Sequence, residues 1–553
     1  MGEIDFKVLF CGNQSLAIEM AMAARLLPAL LGLAAAAPTA ERITSLPGYG
    51  KPPSPQYSGW LKGGNATSGG MSTLHYWFAA YEGKDDWRTK PVVLWLNGGP
   101  GSSSLLGFMQ EAGPLLVGQG GALVENPWSW NKVANVVALE APGGVGFSYC
   151  EAQKTGGHCG WTDKTTAKAN ANAVRDFFVK FPELADNDFF ITGESYAGVY
   201  CPTLARELID GNDAGAKPRV NLVGMAVGDP CTDNAAQKDS MDMLWYGHKH
   251  GFVPDDDFKL LWNECGSRVA RDVDPAGGLR AAPTLRESEN ATCLAAHRKF
   301  LLTTSRSFSQ TWAKGFINDV SLYGVSALVR WDVPGSLNYE QASWLNSEEV
   351  RAALHVSDAP SKDWPGPSDA WVYESSYAAC SGIARDAEHP SMIDFYAYLA
   401  PKLPGAILVF NGDTDPCVSY EGTRTAIKEV GFAEVNAYRP WFFNATAAAA
   451  AFITEKKDIL FGPDLSTEAA GPQLGGHVVD YDHGLSFATV HGSGHMVPQF
   501  RPRASLTFIA HVLENAPLAP PLPGDADLAA MSDDDFDAFL DTWVGDAQTA
   551  AYI

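Results

Sequence analysis

Uninterrupted apolar runs alternate along the chain with stretches in which apolar residues recur every three or four positions. The runs include Val92-Val93-Leu94-Trp95-Leu96, Val136-Val137-Ala138-Leu139, Phe189-Phe190-Ile191, Leu222-Val223-Gly224-Met225-Ala226-Val227 and Ile407-Leu408-Val409-Phe410. A run with no polar alternation suits a strand buried on both faces. Between the runs, Ala167, Ala171, Val174, Phe177 and Phe178 share one side of a helix expected over 163–180. Further helices are expected from about Val199, over 347–354 and over 504–513, and a last strand over 486–490. Two earlier segments, 57–61 and 74–79, read as strands of a meander. Strands alternating with helices predict a mostly parallel sheet covered on both faces. From Pro230 to Asn346 the rhythm changes to glycine patches, cysteines and short helical pieces. This reads as a segment inserted over one end of the sheet. The organisation expected is therefore a leader (1–40), a first core part (41–230), an inserted cap (231–346), a second core part (347–514), and a Pro-rich linker with an acidic tail (515–553). In the tail Ser532 and Asp535 form a capping pair. Phe536, Phe539, Leu540 and Trp543 fall on one helical face, expected to dock on the body of the protein.

Composition narrows the class. The 553 residues are 46% hydrophobic and carry a net charge of −24. No Lys/Arg patch stands out, so no nucleic-acid partner is expected. Arg25, the apolar segment Leu26 to Leu33 and four alanines read as a signal peptide cleaved near 36–40. That apolar segment is too short to span a bilayer and no later one resembles a span, so no membrane anchor is expected. Nineteen residues precede the signal, as if the start lay upstream. Of nine cysteines, Cys11 falls in the leader, and the other eight suit disulfides made in a secretory pathway. Cys150 pairs with Cys159 across a glycine-rich loop in this reading, Cys265 with Cys293 next, and Cys201 is a buried thiol. No C-x-x-C occurs, which argues against a zinc site. Asn65, Asn290 and Asn444 open glycosylation sequons. The basic segment 268–286 reads as a candidate cleavage region.

The candidate chemistry sits where the apolar runs stop. Phe189-Phe190-Ile191 gives way to Thr192-Gly193-Glu194-Ser195-Tyr196-Ala197-Gly198, the layout of a nucleophile elbow. Ala197 stands where the general pattern has glycine. The run ending at Leu96 meets Asn97-Gly98-Gly99-Pro100-Gly101-Ser102-Ser103-Ser104, whose glycines free backbone N–H groups to face a ligand. Later run ends carry Asp413 and Asp415, then His491 and His495, with His483 close by. A serine hydroxyl is a weak nucleophile until a histidine takes its proton, and an acid must orient that histidine. Serine, acid, histidine is the chain order of α/β-hydrolases. Spacing alone leaves Asp413 level with Asp415 and His491 level with His495.

Taken together, Trp95 to Gly101, Val145-Gly146-Phe147-Ser148-Tyr149, Gly193 to Gly198, Gly412 to Asp415 and Gly494-His495-Met496-Val497-Pro498 resemble the serine carboxypeptidases, of the lysosomal and plant types. The resemblance implies an α/β-hydrolase fold with an inserted cap. It implies Ser195, Asp415 and His495 as the catalytic triad, and Gly99 and Tyr196 as oxyanion donors. Trp95, Asn97, Gly98, Glu111 and Glu194 are implied as the site for the substrate's terminal carboxylate. Peptide and protein C-termini are the implied substrates, cleaved through an acyl-enzyme at acid pH, with no metal or organic cofactor. A lysosomal, vacuolar or secreted destination is expected, and a homodimer is left open. The chain departs from the family at Ser102, where relatives have a cysteine bridged far downstream. No cysteine occurs between Cys293 and Cys380, so both halves of that bridge are missing together. Cys417 resembles the family's free cysteine near the pocket, one residue closer to the acid.

Overall fold

In the computed structural model, residues 37–266, 268, 290–304, 337–366, 371–415, 417–446 and 470–552 are described. The signal peptide and all but Arg268 of the 268–286 segment lie outside them. The apolar runs pair side by side. In chain order the main strands are β1 (Arg42–Ile43), β2 (Gln56–Asn65), β3 (Met71–Ala79), β4 (Val92–Leu96), β5 (Asn135–Leu139), β6 (Phe189–Glu194), β7 (Leu222–Gly228), β8 (Ile407–Gly412), β9 (Glu434–Ala445), β10 (Gly471–Tyr481) and β11 (Leu485–Val490). Their order across the sheet is β1-β2-β3-β5-β4-β6-β7-β8-β11-β10-β9, and the short strand Tyr149–Cys150 pairs with β3. The six strands from β5 to β11 run parallel, and the flanking meanders are antiparallel.

Strand alternation divides the core in two. In β4, Val92, Leu94 and Leu96 face one apolar cluster, while Val93 and Trp95 face the other. Helices α1 (Asp163–Lys180) and α2 (Ala197–Asp213) cover the first face, with Phe177, Phe178 and Leu204 buried there. The short helix Leu105–Gln110 and α3 (Pro502–Glu514) cover the second, with Phe108 and Phe508. Thr162 caps α1 by accepting from the Thr165 N–H at 3.2 Å. Fully apolar strands are therefore satisfied on both sides, as their lack of alternation requires.

The inserted region has a small apolar cluster of its own, including Leu244, Tyr246, Leu261, Trp262 and Phe300. It touches the main body where Tyr246 donates to the Thr414 carbonyl at 3.0 Å and Trp245 to Glu421 at 2.7 Å. Disulfides link Cys150 to Cys159, Cys265 to Cys293 and Cys231 to Cys380. Cys201 and Cys417 are free. In the tail, Ser532 caps helix α4 (Asp533–Ala550), and Trp543 is buried with its indole donating to the Pro521 carbonyl. Phe536 and Leu540 remain exposed, so only the second half of the apolar face docks.

Among the described residues no helix is long and apolar enough to cross a membrane.

Candidate active site

Register brings the strand ends into line. Leu96 pairs with Gly193, Glu194 with Gly228, Gly228 with Phe410, and Gly412 with Val490. The loops that follow therefore open on one edge of the sheet, where ligands of parallel α/β folds collect. They carry 97–104, Ser195, Asp229, Asp415 and His491 to His495.

Ser195 sits between β6 and α2 with φ +64°, a left-handed conformation that a non-glycine residue adopts at a cost of about 1–2 kcal/mol. The turn is held by the Ser195 N–H donating to the Gly228 carbonyl at 2.9 Å, and by the Gly198 and Cys231 N–H groups donating to the Ser195 carbonyl. A Cβ on Gly193 would lie 2.3 Å from the Leu96 carbonyl oxygen, and one on Gly198 would lie 2.4 Å from that of Cys231. Small residues are needed there because neighbouring chain passes that close. The tolerance of Ala197 is explained by its place as the first residue of α2.

His495 Nδ1 lies 2.7 Å from Asp415 Oδ2, and both side chains are buried. Asp415 also accepts from the N–H groups of Cys417 (2.7 Å) and Val418 (3.1 Å). Burial alone would lower the His495 pKa, but Asp415 and then Glu194 outweigh it and hold the imidazole above its ordinary value. His491 and Asp413 form a separate pair at 2.8 Å, with the imidazole largely exposed. His483 packs edge-on against Phe432, away from this pair. Geometry thus separates the buried Asp415–His495 pair from the neighbours that spacing had left level.

The glycine loop abuts the elbow. A Cβ on Gly98 would fall 2.2 Å from the Tyr196 nitrogen, so only glycine lets the two backbones meet. Among the described residues, no acceptor meets the N–H groups of Gly99 or Tyr196. Two donors are thereby left beside Ser195. A buried polar network fixes the loop from below. Ser103 and the Trp364 indole donate to Glu140 Oε1, and the Phe147 N–H to Oε2. His75 Nδ1 lies 2.8 Å from the same carboxylate. On the other side Tyr196 and Tyr373 donate to Asp163. Neither network was visible in the sequence, because its members are far apart in the chain and each has an ordinary polar role alone.

Glu111 and Glu194 lie on the same edge, 1% and 5% exposed. Asn97 donates to Glu194 Oε1 at 2.8 Å, while the Trp95 indole donates to Asn97 Oδ1 at 2.8 Å. The bare Cα of Gly107 leaves room for Glu111 Oε1 and Trp95 Nε1. Glu111 and Glu194 lie close enough to share a proton, and beyond each other and Asn97 neither Glu111 oxygen nor Glu194 Oε2 meets a partner among the described residues. Burial, followed by the charge of Glu194, pushes the Glu111 carboxyl well above its usual range. Burial pushes Glu194 up to about 7, with His495 and hydrogen bonds from Glu111 and Asn97 pulling against it. Burial thus raises two carboxyls next to the serine.

Three further placements complete the site and its periphery. Cys417 is half-buried beside Asp415, and burial together with the carboxylates of Asp415, Asp229 and Glu194 raises its thiol. Asp229, which the sequence reading did not single out, is buried against Asp415 and Asn411. Of the sequon asparagines, Asn65 and Asn290 are exposed, and Asn444 is half-buried in β9.

The sequence profile described as serine carboxypeptidase matches residues 47–515. The chain belongs to the serine carboxypeptidase family. It is 30% identical to serine carboxypeptidase-like 21 of Arabidopsis thaliana, over 90% of this chain and 98% of the relative. It is also 30% identical to the lysosomal protective protein of Mus musculus, over 87% of this chain and 95% of that one. Serine carboxypeptidase 1 of Hordeum vulgare is 30% identical over 87% and 94%. Among solved structures, a prohormone-processing carboxypeptidase of Saccharomyces cerevisiae shares the α/β-hydrolase fold. Its TM-score is 0.56 at 18% identity, over 84% of this chain and 91% of that one. The serine carboxypeptidase profile runs through the glycine loop, the elbow, Asp415 and His495 alike.

Proposed function

We propose that this protein releases C-terminal residues one at a time from peptides and proteins, through an acyl-enzyme on Ser195 and best at acid pH. The observation that carries the reading is the buried pair Glu111 and Glu194, whose outer oxygens meet only each other and Asn97 among the described residues. A carboxyl group hydrogen-bonds a carboxylate only while it holds a proton. Protonated Glu111 and Glu194, with the Asn97 amide fixed by Trp95 and the backbone of Gly98, form a receptor for the substrate's terminal carboxylate. The scissile carbonyl then lies over Ser195. His495 takes the Ser195 hydroxyl proton as the oxygen attacks. Asp415 stabilises the imidazolium, and the N–H groups of Gly99 and Tyr196 hold the oxyanion. The imidazolium returns its proton to the departing amine, and water opens the acyl-enzyme by the same steps. Protonating Glu194 also removes one of the charges that keeps His495 protonated, so the binding state and the basic state favour each other.

The inserted 231–346 region acts as the cap, a reading supported by its contacts to Thr414 and Glu421 beside Asp415. Passage through the secretory pathway is part of the proposal, supported by the leader pattern and three disulfides. Asn65, Asn290 and Asn444 are its candidate glycan sites.

The test offers one peptide as the free acid and as its C-terminal amide, over about pH 4 to 8, with Ser195→Ala as control. Stepwise trimming of the free acid alone, strongest at low pH and absent in the variant, is expected. Equal attack on acid and amide would remove the carboxylate receptor and leave a serine hydrolase of other specificity.

A further inference from the structure

Asp229 follows Gly228 at the end of β7 with φ +43°, and its side chain is fully buried. Its Oδ1 accepts from the Gly412 N–H at 3.0 Å and the Asn411 amide at 3.2 Å. Its Oδ2 meets no donor among the described residues, and Asp229 lies against the Asp415 carboxylate. An Asp229 oxygen, an Asp415 oxygen and a His495 ring nitrogen lie within 4.8 Å of one another. The titratable groups facing Asp229 are Asp415, Glu194 and His495, with the Cys417 thiol close by, and among the described residues no Lys or Arg pairs with it. Two buried carboxylates this close repel, and His495 brings at most one positive charge, already faced by Asp415, so one of the two carboxyls is expected to hold a proton. Asp415 already accepts from two backbone donors and faces His495. Oδ1 of Asp229 is occupied as an acceptor, which leaves Oδ2 for the proton.

The geometry points to Asp229 as a positioning residue: a neutral carboxylic acid, protonated on Oδ2, that braces Asp415 and leaves one negative charge facing His495. This rests on Ser195, Asp415 and His495 forming the triad. Burial and the Asp415 charge, both of which raise the Asp229 carboxyl, agree with it. A second full charge here would hold His495 protonated to higher pH and remove the base from an enzyme that works in acid. Asp229 thus gives Asp415 a polar neighbour without that effect.

The test compares Asp229→Asn and Asp229→Leu in the full-length secreted protein. The rate of Ser195 labelling by a fluorophosphonate is read across about pH 4 to 8 beside peptide trimming. An amide copies a neutral acid, so Asp229→Asn is expected to label within about threefold of wild type, its acid limb unmoved. Asp229→Leu loses the donor and is expected to fall about tenfold or more in labelling rate and kcat, with KM unchanged. An acid limb in Asp229→Asn displaced about one pH unit downward would show that Asp229 is charged in the working enzyme, and would overturn the proposal. Equal labelling by Asp229→Leu and wild type would overturn it too. If Asp229→Asn fails to fold by circular dichroism, Asp229→Ser carries the same comparison. Wild-type labelling without trimming would sink the carboxypeptidase reading and leave this test standing. A wild-type Ser195 that takes no label overturns both.

Discussion

Replacing Glu194 by Gln should change how both stability and binding respond as pH rises. Burial raises the Glu194 carboxyl from 4.5 to about 7. At about 1.4 kcal/mol per pH unit, ionising it costs the folded state about 3 kcal/mol. The sign follows from proton counts. Between the two pKa values the folded protein holds a proton that the unfolded chain has released. The contribution to stability is complete below about pH 4.5, declines as pH rises, and is gone above about 7. Glutamine has no proton to lose and can still accept from Asn97 at 2.8 Å. Urea unfolding at several values between about pH 4.5 and 7.5 should therefore show wild type losing about 3 kcal/mol more than Glu194→Gln. Glu111 is raised by the same burial, so Glu111→Gln/Glu194→Gln should be flatter still. In kinetics, the wild-type KM for a free-acid peptide should climb as pH passes about 7, while the double variant's stays level. Parallel stability curves for wild type and double variant would refute the reasoning, because they would mean that neither carboxyl is held protonated.

Asp415→Asn should leave KM near wild type and cut kcat by about 10⁴, because an amide donates to His495 and fixes the wrong tautomer. The Cys417 thiol, raised by burial and by Asp415, should resist iodoacetamide in the native protein near neutral pH, whereas denatured protein should take label at both Cys201 and Cys417. Cys231→Ser/Cys380→Ser should cost about 5 kcal/mol by chain entropy, since the bridge closes a separation of 149 residues; the urea midpoint reads it.

What the sequence disclosed followed the physics of each signal. Strands buried on both faces are continuous apolar runs, so β4, β5, β6, β7 and β8 were legible. Helix α1 was legible from its spacing and matches 163–180. The hairpin β9–β10 was not, because the buried alternate positions of β9 begin with Arg439 rather than an apolar residue and the pair changes register more than once. The Cys150–Cys159 and Cys265–Cys293 bonds join cysteines near in sequence, whereas Cys231 and Cys380 meet only through tertiary structure. At the site, motif residues with a fixed local frame were readable. Glu111 was readable only through family resemblance, because a lone glutamate after a glycine loop resembles any solvated charge. Asp229 carries no local mark: its meaning arises from β7 and β8 lying side by side, with Gly228 paired to Phe410.

The Cys265–Cys293 bond has a consequence for the covalent identity of the molecule. Any single backbone cut between those two residues yields two polypeptides that remain one particle. The first would contain Ser195 and the second Asp415 and His495, so the three residues proposed as the triad would be divided between two chains. The second bond, Cys231 to Cys380, spans the same cut. Such a nick would leave the mass of the native protein unchanged apart from one added water, and only reduction would separate the halves. An intact native mass would therefore not show whether these residues share one chain.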